Sequence, residues 1–498
     1  MFPFESDFES NVSLESAKIG VIDEPPFHVL MLGDWGGDAD KNDLARRRPL
    51  EIDRDNFDDI MKRLRVRLDL GDLTLDFQCL DDFHPDELFQ QVPMFAELRN
   101  LRRRLLDADT FNSAAREVRG WFPSPEEPAE SVSDANEPQS VEPPAGNLLD
   151  SILSKPDGGA TSPRPQATAS KELSNLISDL VRPHLVSVDE NEQANLLAAV
   201  DSATSDLMRN IMHHRRFQAL ESAWRGLYFL VRRTETASDL KLFILDVSKD
   251  EVAEDLKSAA SFSDSMLYEV LIADADDEPW AAVFGNYAFF PNIDDTATLI
   301  RLGKLAAGAD APFVSHMRCE VLGISSLAAH PDPSDWNRSD DSNEAKLWTA
   351  LRDQAESAYL GMTIPRFLVR LPYGRETDPV EAFSFEEFAG EPVHDKYLWA
   401  NSCFAAALLL AQSYSSYGWE MGRALLQDID GLPTHIYTRN GETITTPCAE
   451  VQLTENACER LMDFGLMPLV SFKNSDRIRL ARFQSITDPT TVLKGRWT

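Results

Sequence analysis

His213-His214-Arg215-Arg216 is the densest cluster of reactive polar side chains in the chain. Imidazoles ligate metals and guanidinium groups hold anions, so both chemistries have to be weighed. Neighbours on a helix point ~100° apart, whereas helical histidines sharing one ion sit at i, i+4. A solvated or partner-facing helix end therefore accounts for the cluster better than a metal site. Gly33-Asp34-Trp35-Gly36-Gly37 follows an apolar stretch, as phosphate-binding turns do, but it has neither the Lys-Ser/Thr of a P-loop nor GxGxxG spacing. Asp38, Asp40 and Asp43 suggest a calcium loop. Counted from Asp38, however, the glycine position holds Asp43 and the bidentate glutamate position holds Pro49. Gly323-Ile324-Ser325-Ser326-Leu327 lacks the last glycine of a nucleophile elbow. Arg366, Arg370 and Arg375 stand among many carboxylates and read as ion-pairing structural arginines. Cys79, Cys319, Cys403, Cys448 and Cys458 form no CxxC and have no histidine at metal spacing, so they read as reduced thiols of a cytoplasmic protein. No converging catalytic set, metal site or cofactor site emerges, and the chain is not expected to be an enzyme.

The elements that would position such groups fall into two blocks. At 498 residues the chain is long enough for about three domains of ~150 residues. Lys and Arg number 48 against 83 Asp and Glu, a formal charge of −35, which excludes free nucleic acid as a ready partner and does not suit anionic membrane surfaces. Solubility, or steering toward a basic partner, explains the charge. The acidic start MFPFESDFES has no basic region followed by an apolar run. The longest apolar run, Cys403 to Ala411, is nine residues, half of a bilayer span. Residues 121–170 hold nine prolines and eight acidic against two basic residues, which predicts a disordered, flexible linker. Within it, Leu148, Leu149, Ile152 and Leu153 make a short helical hook spanning 147–153, too brief to be stable alone. The expected organisation is an α/β block over 1–120, the linker 121–170, and a core over 171–498.

In the first block Phe27 to Leu32 predicts a strand, Leu50-Glu51-Ile52 a second, and Leu73 to Phe77 a third, with a helix between Asp55 and Leu68. Asp81-Asp82-Phe83-His84-Pro85 opens a helix and Leu98 to Leu106 forms another. After the linker Glu190 to His213 is helical. Phe217 to Val231 then carries an apolar stripe at Phe217, Leu220, Trp224, Leu227, Tyr228 and Val231, with Gln218, Glu221, Ser222 and Arg225 on the other side. Trp224 is its anchor, and Gly226 allows another backbone to come close. Leu240 to Val247 and Ala281 to Phe289 predict strands. Lys346 to Leu360 predicts a helix stopped by Gly361 and Pro365. Tyr397 to Tyr414 is apolar on nearly every side and so fully buried, and Arg439-Asn440-Gly441 predicts a hairpin turn.

The wording of these segments is more specific than their periodicity. Leu220-Glu221-Ser222-Ala223-Trp224-Arg225-Gly226-Leu227, followed by Thr234-Glu235-Thr236 and the 240–247 strand, resembles the large subunit of the contractile sheath of type VI secretion systems. Ala311-Pro312-Phe313, the run Pro365 to Tyr373, Gly465 to Ser471 and Phe483-Gln484-Ser485 extend that resemblance. FHVLMLGDWGG, PLEIDRDNFDDIMKRL and LTLDFQCLDDFHPDELFQQVP, in this order over residues 25–105, resemble the small subunit of the same sheath. The resemblance implies an α/β fold of mixed β-sheets flanked by helices, arranged as two intertwined sheet layers, with the first block completing the second. It implies a structural subunit with Trp224, Arg225 and Gly226 as fold anchors. The implied partners are other small and large sheath subunits, an inner tube protein, a baseplate and a recycling hexameric unfoldase ATPase. The result would be a higher-order oligomer without membrane insertion or nucleic acid. In the family a leucine-rich helix placed like Leu148, Leu149, Ile152 and Leu153 is the segment the unfoldase grasps; docking on the protein's own surface is the other role open to it. Large subunits of the family continue past the point matched by Trp497-Thr498, which favours an accessory or baseplate role as the alternative. A hydrolase on an α/β scaffold is the remote one.

Overall fold

The computed structural model describes residues 24–71, 73–120, 192–275, 278–337 and 339–498. Leu148, Leu149, Ile152, Leu153 and the 121–170 linker lie outside the described residues.

In chain order the first block forms β1 (Phe27–Gly33), β2 (Leu50–Ile52), α1 (Phe57–Leu64), β3 (Arg67–Leu70), β4 (Leu73–Asp76), α2 (Pro85–Gln91), α3 (Pro93–Leu106) and α4 (Phe111–Gly120). The chain after residue 191 forms α5 (Glu192–Met212), α6 (Arg215–Arg233), β5 (Leu240–Asp246), α7 (Lys249–Ser258), β6 (Trp280–Phe289), α8 (Ile293–Ala309), β7 (Phe313–Met317), α9 (Asn343–Arg352) and β8 (Leu360–Ile364). β9 (Phe367–Leu368), β10 (Trp399–Ala400), α10 (Cys403–Tyr417), β11 (Asp428–Ile429), β12 (Ile436–Arg439), β13 (Glu442–Thr445), α11 (Glu455–Asp463), β14 (Leu466–Ser471) and β15 (Ile478–Leu480) complete it.

One nine-stranded sheet, in the order β11-β15-β14-β8-β7-β6-β1-β5-β2, replaces the two layers expected from the sequence. The reason is the place of β1. Its seven residues pair in parallel with Leu240 to Asp246 of β5 on one side, and with β6 on the other. A strand from the first block thus fills the gap between two strands of the second, and both blocks share one hydrogen-bonded ladder. β1, β5, β6, β7, β8 and β14 run parallel, while β2, β15 and β11 add antiparallel edges. The fold is α/β with a mixed sheet, as the sequence predicts.

Alternation along β1 explains why it can sit there. Phe27, Val29 and Met31 face one apolar core with α3, α5, α6 and α10, whereas Leu30 and Leu32 face a second with α7 and α8. Both faces are apolar, the signature of a parallel strand covered by helices on each side. α10 is buried around its whole circumference from Cys403 to Ala411, which its uniformly apolar sequence demands. The hairpin β12–β13 closes with Asn440 and Gly441 at φ 52° and 83°, the left-handed pair a two-residue turn requires.

Helix bounds differ too: the helix read from Asp55 ends at Leu64 before β3, and the one read from Tyr397 begins at Cys403 after β10. The helix read over Lys346 to Leu360 ends at Arg352, and Leu360–Ile364 is the fully buried strand β8. Gly361 and Pro365 read as a helix stop in the sequence, and a central parallel strand, apolar on both faces, shows no alternation to mark it. A Cβ at Gly361, inside that strand, would meet Met467 Cε at 2.7 Å, the movable end of a flexible side chain.

Candidate functional site

The two blocks meet along helix α6, and the residues singled out there have distinct surroundings. Trp224 is fully buried and donates its Nε1–H to the carbonyl of Trp35 at 3.0 Å. Its ring meets Trp35 and Phe57 edge-on, at centroid distances of 5.8 and 5.6 Å. Trp35 and Phe57 belong to the first block, so Trp224 bonds one block to the other. Gly226 has the ring of Phe404 against it: a Cβ would lie 2.5 Å from Phe404 Cε2. The close approach is by an aromatic side chain of α10, where the sequence suggested a backbone. Tyr228, placed on the apolar stripe by its spacing, packs on Phe57 at the rim and is partly exposed.

Arg225 opens a buried ionic network. Its Nε donates to Glu221 Oε1 at 2.7 Å and its Nη2 to the Tyr373 hydroxyl at 2.8 Å. Arg370 bridges Glu221, by Nε at 2.8 Å, and Glu387, by Nη1 at 2.8 Å and Nη2 at 3.1 Å. Tyr373 N–H adds a bond to Glu387 Oε2 at 2.8 Å. Glu221, which the helical pattern assigns to the polar side, is completely buried because two guanidinium groups meet it. Burial pushes the Glu387 carboxyl up, but Arg370 and His213 more than offset this and hold it at about 2. Burial likewise pushes the Tyr373 hydroxyl to about 12. Two carboxylates and two guanidinium groups balance, and such a set tolerates the interior only while every member is present.

Other contacts bind the seam. Arg47 of the first block meets Glu251 through Nη2–Oε1 at 2.7 Å and Nη1–Oε2 at 3.1 Å. Burial raises the Glu251 carboxyl, yet Arg47 and the Ser248 N–H bring it down to about 2. Arg102 on α3 pairs with Asp201 on α5 at 2.6 Å. The glycine turn after β1 is occupied by the chain itself: Trp35 and Gly36 N–H donate to Asp246 Oδ1 at 2.8 and 3.1 Å, and Lys41 joins at 3.1 Å. Asp38, read as a calcium-loop candidate, accepts from Asp69 N–H at 2.8 Å and pairs with Arg216.

His213 and His214 diverge as their adjacency dictates. His214 caps α6 by accepting from Arg216 N–H, while His213 Nε2 lies 3.5 Å from Glu387 Oε1. Among the described residues no group of three or more His, Cys, Asp or Glu is arranged to hold a metal ion. Arg366 pairs with Glu450 at 2.5 Å, Arg370 is the hub of the network, and the Arg375 backbone N–H donates to Glu386. The network escaped the sequence because its members lie far apart, Glu221 and Arg370 being separated by 149 residues. Its one visible signal was Arg370 in an otherwise apolar stretch.

This arrangement is a helix seam that locks one block's strand into the other block's sheet. Residues 194–487, more than half of the chain, match the family model described as EvpB/VC_A0108, tail sheath N-terminal domain, and the chain belongs to that tail-sheath family. Residues 14–118 match a second model, type VI secretion system, VipA, VC_A0107 or Hcp2, so small- and large-subunit parts are fused in one polypeptide. The type VI secretion system sheath protein TssC1 of Pseudomonas aeruginosa is 35% identical over 305 residues, covering 59% of this chain and 61% of that relative. The chain spans about three-fifths of that relative's length.

Proposed function

We propose that this protein is a structural subunit of the contractile sheath, assembling with other sheath subunits around an inner tube and contracting to drive it outward. The observation that carries this is β1 paired on both sides by strands of the second block, which makes the two parts a single mechanical unit. Contraction would be a concerted passage from a metastable extended packing to a more compact one, with work drawn from interfaces and not from a bond-breaking step. Partners in that cycle are the inner tube protein, a baseplate and a recycling hexameric unfoldase that engages Leu148, Leu149, Ile152 and Leu153. The two folding blocks are 1–120 and 171–498, and Trp224, Arg225 and Gly226 anchor them. Five free cysteines support a cytoplasmic place for it. Among the described residues no helix is long and apolar enough to cross a membrane.

The purified protein, mixed with the inner tube protein and imaged in negative stain, is expected to form hollow tubes. Absence of tubes, both alone and with separately encoded sheath subunits, would replace this function with the accessory role at a baseplate or sheath end. Phosphatase and esterase screens are expected to give no turnover.

A further inference from the structure

At the carboxyl ends of β7 and β8 lies an open cleft of ≈ 1560 Å³. Crevices beyond the carboxyl ends of parallel strands are the usual binding places of open α/β sheets. This one exceeds the ~300–1,000 Å³ of small-molecule pockets, and so suits a stretch of polypeptide.

Its charge is near balance where the molecule as a whole is strongly acidic. Six Lys and Arg line it against five Asp and Glu, in a chain where acids outnumber bases 83 to 48. Most of the lining acids are already engaged. Glu387 is held by Arg370, Glu450 by Arg366, and Asp206 by Arg209. Arg318, Lys396 and Arg215 remain: Arg318 lies over the Phe290 ring and reaches Glu320 at 3.4 Å, and among the described residues neither Lys396 nor Arg215 has an ion-pair partner. The amino-terminal end of the 19-residue helix α6 lies along the same wall and adds its positive dipole end.

Two buried polar atoms of the lining have no hydrogen-bond partner among the described residues, His394 Nε2 and Arg318 Nε, while His213 Nε2 faces Glu387. The nearest carboxylate oxygens stand 3.5 Å from His213 Nε2 and 3.9 Å from His394 Nε2. A buried donor left unpaired costs about 1–3 kcal/mol, so the cleft gains from an incoming acceptor. One stretch of the wall is aromatic. Phe388 stacks on His213 and tilts against Tyr397 at 4.9 Å, and the exposed Val393 stands beside it.

We infer that this cleft binds an extended acidic segment carrying aromatic side chains, and that the segment is residues 2–9 of this chain. Phe2, Phe4 and Phe8 interleave there with Glu5, Asp7 and Glu9, matching aromatic wall to ring and cation to carboxylate. The described chain begins at Glu24, at the amino end of β1, about 20 Å from the carboxyl ends of the strands. Twenty-three residues span up to ~75 Å, enough to reach the cleft of the same copy or of a neighbour. The inference is independent of whether the protein builds a full sheath or an accessory assembly.

The test uses the full chain with Phe4 replaced by the photo-reactive benzoylphenylalanine, illuminated and mapped by mass spectrometry. Adducts are expected in the peptides holding Phe388, Val393 and Lys396. Their yield should fall at least tenfold with Arg318→Glu and Lys396→Glu together. It should fall equally with Glu5→Lys, Asp7→Lys and Glu9→Lys, which alter no described residue and so test the idea even if the cleft variant folds poorly. Adducts scattered over other surfaces, or a yield indifferent to the tail reversal, would overturn the inference.

Discussion

Replacing Trp224 tests whether the seam holds the two blocks together. Truncating a fully buried tryptophan to alanine costs ~3–5 kcal/mol through lost contacts and the cavity left behind. The substitution also strands the Trp35 carbonyl, which accepts the indole N–H at 3.0 Å, at a further ~1–3 kcal/mol. The terms overlap, so Trp224→Ala is expected to lose on the order of 5 kcal/mol. Trp224→Phe keeps a ring against Phe57 and gives up chiefly the hydrogen bond, for about 1–2 kcal/mol. Urea unfolding of the full chain gives the ranking. Limited proteolysis alongside it reads whether residues 24–120 become accessible before the rest, as a weakened seam requires. A soluble Trp224→Ala protein with an unchanged midpoint but lost assembly would show that the indole faces a partner and not the interior.

Gly226→Ala places a methyl group against Phe404 and is expected to cost ~1–3 kcal/mol by overpacking, read as a lowered melting temperature that Phe404→Leu partly restores. Acid should destabilise the fold in two windows. His316 is fully buried and desolvation holds its imidazole at about 3, below the ordinary 6.5, so stability is lost as pH falls from 6.5 toward 3. Glu387, held at about 2 against an ordinary 4.5, contributes stability above pH 4.5 that is lost as pH falls toward 2, and Glu387→Gln should flatten that lower limb in pH-dependent denaturation. For the hook, a peptide of residues 145–157 should bind the unfoldase's amino-terminal domain, and Leu149→Asp with Ile152→Asp should abolish it; wild-type binding no stronger than the double variant sinks the role.

Local features were legible where one rule decides them. The hairpin at Asn440-Gly441 needed only two left-handed residues, and α10 needed only an apolar run that no solvated helix carries. The β1 strand could be read from Phe27 to Leu32, but its slot between β5 and β6 could not, because nothing in a strand's own residues names partners more than 200 positions away. β8 was missed, Gly361 and Pro365 being read as a helix stop, because burial on both faces erases the alternation that marks a strand. Glu221 was placed on the wet side because a charge on a helix is normally solvated, and it takes Arg370, 149 residues on, together with Arg225 to make its burial tolerable.

The central position of β1 also bears on how the particle is supplied. When a sheath's two parts are separate chains, filling the slot between β5 and β6 is a bimolecular event that depends on the levels of both. Joined through residues 121–191, the strand and its slot are made in equal number by every ribosome, and their meeting becomes an intramolecular step set by effective concentration. The first block also leaves the ribosome before the slot exists. Dilution cannot then produce an orphan half, and an assembly built from such subunits has one fewer ratio for the cell to regulate.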